Sequence, residues 1–117
     1  MQNWNARDHE ILAKTIFGES RCEQQIGQNA VGHVVMNRAK ANRSYWGGST
    51  GNEERRAYED IYKWVPDLLN GIISDPTHGC DYYNNPAIEY GDREPQWVRQ
   101  ARRTMEIGNH RFYYIGH

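Results

Sequence analysis

Residues 23–39 carry an apolar stripe of Ile26, Ala30, Val31, Val34 and Val35 at helical spacing, yet Gly27 and Gly32 fall inside it. A glycine in a helix interior costs about 1 kcal/mol against alanine. Two of them in one helix point to neighbours packing where side chains would otherwise stand. The stretch is therefore expected to be a buried central helix with the other elements wrapped around it. A chain of 117 residues has room for one such arrangement, so a single domain over 1–117 is expected.

The flanking segments supply the wrapping. Asn5 or Asp8 can cap a first helix whose apolar positions are Ile11, Leu12, Ile16 and Phe17, with Gly18 expected to end it. Residues 42–52, including Trp46, read as a loop. Asn52 is expected to cap a third helix, with Glu53 and Glu54 in its first turn and Ala57, Tyr58, Ile61, Tyr62, Trp64 and Val65 on its buried side. Pro66 should kink or restart that helix before Leu68, Leu69, Ile72 and Ile73. Asp75-Pro76-Thr77-His78-Gly79 is a turn sequence, Cys80 to Tyr83 a short strand, and Pro95-Gln96-Trp97 the start of a short helix. Thr104 to Ile107 and His110 to Tyr114 flank Gly108-Asn109, a strong hairpin signal. The fold class expected is α+β: helices packed on a small antiparallel sheet.

Bulk properties exclude several functions. Fourteen basic and fifteen acidic residues give a net charge of -1, so no global field draws the chain to nucleic acid. Arg99, Arg102, Arg103 and Arg111 form a local basic cluster, read as a solvated face. No apolar run approaches membrane-spanning length, so no membrane insertion is expected. The first residues show no secretory signal. That leaves a cytoplasmic protein, export by another route, or a domain from a longer chain. Only 38% of residues are hydrophobic, and the eight Tyr and four Trp must carry much of the core.

Chemistry concentrates around Phe17-Gly18-Glu19-Ser20-Arg21-Cys22-Glu23. Glu19 falls where the first helix ends, beside carbonyls of partial negative charge, and burial next to Phe17 adds to that; both disfavour ionisation. A carboxyl that keeps its proton near neutral pH is what general acid catalysis on a sugar linkage needs. Glu23, expected in the first turn of the next helix, should stay ionised. It is read as a partner of the helix dipole or of Arg21 or Arg38. Trp46, Tyr82, Tyr83 and Trp97 lie outside the helical stripes, and their flat rings suit pyranose faces, although core packing is the commoner fate of a single ring. The five histidines match no zinc spacing, so no metal and no cofactor is expected, and His110 is read as ordering the hairpin or the edge of the site.

These segments together resemble the SleB-like cell-wall hydrolase family, which includes spore-cortex lytic enzymes and related phage domains. The resemblance runs through Ala13 to Arg21, Glu23, Gly27-Gln28, Ala30-Val31 and Asn37-Arg38. It continues through Asn70-Gly71, Asp75-Pro76-Thr77, Gly79, Tyr82-Tyr83, Pro95-Gln96-Trp97 and Ile107 to Tyr113. It implies a lysozyme-like α+β domain that cleaves peptidoglycan between N-acetylmuramic acid and N-acetylglucosamine. It also implies a lytic transglycosylase that forms 1,6-anhydro ends, with Glu19 as catalytic acid and base. Ser20, Arg38, Thr77, Tyr82, Tyr83, Trp97 and His110 are then expected to bind substrate, with Arg21 and Glu23 behind them. The protein would be a monomer made in the cytoplasm that acts on the bacterial wall, and a phage endolysin is the origin suggested by its small size.

The chain departs from the family where Cys22 replaces a usual glycine and Cys80 a small residue, and a disulfide between them is the expectation drawn from that double change. Three other readings stand beside the main one. They are a wall-binding module without turnover, a hydrolytic muramidase using Glu19 and a second carboxylate, and a metal-dependent nuclease built on Asp75, His78 and His110.

Overall fold

The computed structural model describes residues 4–41, 55–86 and 95–116. The expected loop over 42–52 with Trp46, and the Asn52 cap with Glu53 and Glu54, lie outside the described residues. Three helices, α1 (Ala6–Ser20), α2 (Gln25–Lys40) and α3 (Arg55–Leu69), precede three strands, β1 (Tyr82–Asn84), β2 (Arg103–Ile107) and β3 (His110–Tyr114). The architecture is α+β, as expected.

Asn5 is the cap of α1. Its side chain accepts from Asp8 N–H at 2.9 Å, and Asp8 accepts from Asn5 N–H at 2.9 Å, closing a reciprocal capping box. Gly18 does not end the helix: α1 continues through Ser20 to its C-cap Arg21, whose N–H bonds the Phe17 carbonyl. α2 is the buried centre. A Cβ on Gly32 would stand 2.9 Å from Ile16 Cδ1 of α1 and 3.0 Å from Leu68 Cδ1 of α3, so the missing side chain is what lets both neighbours close in. Leu12, Ile16, Phe17, Val31, Val34, Ile61, Val65 and Leu68 fill the helical core, and Phe112 of β3 caps it. Each such side chain contributes about 1.5–3 kcal/mol when fully buried. Ile26, placed by periodicity on the apolar stripe, is instead exposed, as are Tyr62 and Ile72.

α3 runs through Pro66 as one element. Proline has no N–H, so the carbonyl four residues back, Tyr62 O, loses its helical donor. His9 of α1 donates Nε2–H to that oxygen at 2.8 Å, and its ring stacks on Tyr62 with centroids 3.8 Å apart.

The sheet order is β1-β3-β2, antiparallel throughout. Thr104 pairs with Tyr113 and Ile107 with His110, so the hairpin turn is Gly108-Asn109 as expected. Gly108 has φ +60° and Asn109 has no positive φ, the pattern of a type II′ turn. Residues 96–100 form a short 3-10 helix with Pro95 at its N-cap.

Candidate active site

Glu19 lies half-buried in the last turn of α1, between the buried Phe17 and Ser20 and the turn that leads to α2. Gln28 of α2, a buried amide that sequence reasoning did not assign to the site, donates to Ser20 O at 3.2 Å and, more weakly, to Arg21 O at 3.5 Å. It thereby satisfies carbonyls that the end of α1 leaves open. Its one sequence signal is a polar residue within an apolar helix.

Glu23 is not in the first turn of α2. Gln24 is the N-cap, and Glu23 sits just before it, donating its N–H to Ser20 O at 2.9 Å. The expected partners Arg21 and Arg38 are corrected as well. Glu23 Oε1 accepts the Asn109 main-chain N–H at 2.9 Å and Oε2 accepts Asn109 Nδ2 at 3.0 Å, with His110 Nδ1 4.0 Å from Oε1. The approach is close enough that a Cβ on Gly108 would overlap Glu23 Oε1. Glu23 therefore ties the hairpin turn to the chain that follows Glu19. Arg21 is exposed, with its guanidinium 5.2 Å from the Phe17 ring centroid. Buried Arg38 donates to Asp81 O at 3.0 Å and lies over Tyr82 at 4.5 Å.

Beside the tethered turn opens a cleft of about 270 Å³, lined by Asn85, Pro86, Glu106, Gly108, Asn109, His110 and Arg111. Its size is a little below the ~300–1,000 Å³ of pockets that enclose drug-sized ligands, so it fits part of a chain-like substrate. Arg111 Nε and one terminal nitrogen donate to Glu106 Oε1 at 3.1 and 2.9 Å across the β2–β3 ladder. Glu19 is not among the residues that line it.

Strand alternation divides the expected substrate residues into two groups. Tyr83 and His110 face the helices, their rings 5.8 Å apart and both buried, on the side of Glu23. Half-buried Tyr82 lies on the other face of β1, 4.8 Å from Trp97, which in turn meets Tyr113 edge-on at 5.0 Å. Arg38 joins this second group. The structure thus brings His110, Tyr83 and Glu23 together, and separately Arg38, Tyr82 and Trp97.

Two expected contacts are committed elsewhere. Ser20 Oγ donates to Ile16 O at 2.8 Å within its own helix. Thr77 is fully buried, with Oγ1 donating to Asp75 Oδ1 at 2.7 Å and accepting from Cys80 N–H at 3.1 Å, which places it inside the turn rather than at a surface a sugar reaches. Asp75 also accepts from Thr77 N–H, Gly79 N–H and Asn37 Nδ2. Burial pushes its carboxyl up, but the bonds from Thr77, Asn37 and Gly79 outweigh that and hold it below its ordinary value.

The disulfide expectation is overturned. Cys22 and Cys80 are both free: Cys22 is exposed in the turn after α1, while Cys80 is fully buried with its thiol directed at Thr77 O, 3.4 Å away. Burial raises the Cys80 thiol above its usual value. Among the described residues no three His, Cys, Asp or Glu side chains converge on a point where a metal ion would sit. None of the described helices is long and apolar enough to cross a membrane.

Comparison with known proteins follows the same outline. The profile of a family described as Cell Wall Hydrolase matches residues 44–113, more than half of the chain. A spore cortex-lytic enzyme of Bacillus cereus is 28% identical over 122 residues, covering 93% of this chain and 45% of the relative. One from Halalkalibacterium halodurans is 26% identical, covering 93% of this chain and 35% of the relative. The chain therefore spans under half the length of these curated relatives. The catalytic domain of the germination-specific lytic transglycosylase SleB from Bacillus anthracis superposes with a TM-score of 0.69 at 28% identity, over 97% of this chain and 98% of that domain. The Bacillus cereus SleB catalytic domain, at 24% identity and a TM-score of 0.65, shows the shared fold. The lysozyme-like α+β arrangement expected from the sequence is the fold found.

Proposed function

The chain belongs to the cell wall hydrolase family, and from that premise we propose that it cleaves the glycan strands of peptidoglycan as a lytic transglycosylase, with Glu19 as acid and base. The observation that carries the reading is the likeness, over 97% of this chain, to a domain described as a lytic transglycosylase. The bond broken is that between N-acetylmuramic acid C1 and the O4 of N-acetylglucosamine. Protonated Glu19 gives its proton to the bridging oxygen as the C1–O4 bond opens. The resulting carboxylate takes the proton of the muramoyl 6-hydroxyl, whose oxygen closes on C1 to form the 1,6-anhydro ring. One carboxyl group serves both steps, unlike the pair used by most glycosidases.

Glu19 stands half-buried in the last turn of α1, with Phe17 and Ser20 buried on either side of it. Hydrolysis with a second carboxylate is the competing chemistry, and among the described residues the two glutamates at the hairpin are both engaged. Glu23 has each oxygen taken by Asn109, and Glu106 is bound by Arg111. The half-buried rings of Tyr82 and Trp97 are the surface offered to sugar faces, and the bacterial wall is the place of action.

Digestion of purified sacculi followed by mass spectrometry tests the reading. Products ending in 1,6-anhydro-N-acetylmuramic acid are expected, and reducing ends alone would assign hydrolysis. Glu19→Gln should keep the fold and lose at least ~10²-fold in rate. A variant with normal turnover removes Glu19 from the mechanism, and binding of sacculi without any turnover by the unaltered protein would make it a wall-binding module.

A further inference from the structure

Asn85 follows directly on β1, is nine-tenths buried and lines the cleft beside the hairpin turn. Its Oδ1 is buried and has no hydrogen-bond partner. Buried acceptors in folded proteins are nearly all paired, so an orphan needs an explanation. Asn29 holds a second such oxygen, but Asn85 alone of the two borders a cavity.

We infer that Asn85 is a substrate-binding residue whose Oδ1 accepts a hydrogen bond from the acetamido N–H of an N-acetylhexosamine seated in the cleft. This rests on the glycan-cleaving reading above. The terminal torsion of an asparagine is broad, so its amide turns toward the cleft at little cost. Pairing Oδ1 with a donor of the sugar removes the cost of a buried acceptor without a partner, which is the asymmetry that makes an orphan group a good recognition element. The acetamido N–H fits best among the donors of such a strand. It recurs at C2 of every sugar and has a fixed direction, whereas hydroxyl hydrogens rotate and exchange readily with water.

The rest of the lining is consistent with a group that recognises without reacting. Glu106 and Arg111 satisfy one another across the ladder, and Asn109 is spent on Glu23. Asn85 Oδ1 is an acceptor of this lining that is committed to no partner, and it lies outside the turn that Glu23 positions. It would thus fix the register of a sugar relative to Glu19 without touching the reacting bond.

The test compares sacculi with intact N-acetyl groups against sacculi partly de-N-acetylated. The unaltered protein should prefer the acetylated substrate. Asn85→Ala should reduce that preference by about 2- to 10-fold, the worth of one neutral hydrogen bond, while Asn85→Asp, which keeps an acceptor, should retain it. A structural role alone would lower both substrates equally, and an unchanged preference in Asn85→Ala overturns the inference. Failure of the unaltered protein to cleave either substrate would instead overturn the glycan-cleaving reading. Should Asn85→Ala not fold, the Asn85 side-chain amide signal of the unaltered protein is followed by NMR. It should shift with tri-N-acetylchitotriose and not with the fully de-N-acetylated trimer. A shift with both trimers would assign the contact to a hydroxyl and overturn the acetamido assignment.

Discussion

Glu23 and Asn109, 86 residues apart in the chain, are joined by two hydrogen bonds, one from the backbone N–H and one from the side-chain amide, each to a different carboxylate oxygen. That pair fixes the hairpin turn against the segment between α1 and α2. Glu23→Gln keeps the shape but turns one acceptor into a donor that faces a donor. It should lose about 1.5–3 kcal/mol of stability, the range for bonds to a charged group. Thermal unfolding checks the value, and in combination with Asn109→Ala the loss should fall short of the sum of the single losses.

Gly108 bears on the same contact from the backbone side. Its φ of +60° is disfavoured for any L side chain, and a Cβ would meet Glu23 Oε1. Gly108→Ala should therefore cost at least ~1–2 kcal/mol from conformation alone, and more from displacing the carboxylate. Circular dichroism melts of Gly108→Ala against Gly71→Ala separate the two. Gly71 also has a positive φ, at +77°, but open space around it, so its variant should be the milder.

Asp75 gives the fold an acid-sensitive element. Its carboxyl is held below the ordinary 3.8, so its contribution is fully present above that value and is lost as pH falls through the lower folded-state value. Asp75→Asn should be less stable than the unaltered chain at neutral pH, with the gap narrowing below about pH 4 as the carboxylate is protonated. Melting temperatures measured across that range give the sign directly. A constant gap would mean that the charge plays no part.

The two thiols should differ in reactivity. Cys22 is exposed, while Cys80 is buried, bonded to Thr77 O and raised in pKa. A chromogenic thiol reagent should label one cysteine promptly in the folded protein and both after denaturation without reductant. Two unreactive cysteines under denaturing conditions would restore the disulfide.

Much of the fold could be read from residue pattern because its cues are local. The Gly108-Asn109 turn and the Asn5-Asp8 box each act within a few residues of where they stand. Local pattern ends α1 at Gly18, whereas the cues that carry it to Ser20 are distant: Gln28, from the next helix, satisfies the carbonyls of its last turn. The role of Glu23 is hidden from local pattern for the same reason, since its partner is 86 residues away. Tyr82 and Tyr83 adjoin in sequence, yet a strand sends adjacent side chains to opposite faces. Asn85 carries no sequence signal at all, because an acceptor without a partner is visible only once its surroundings are folded.

Pro66 leaves α3 unable to complete its own ladder, and the missing donor arrives from His9 on a helix that was synthesised more than fifty residues earlier. α3 alone in water would have to solvate the Tyr62 carbonyl; docked, it borrows a proton from α1. The two helices are thus interdependent at the level of main-chain bonding as well as of side-chain packing, which favours their melting and assembling as one cooperative unit.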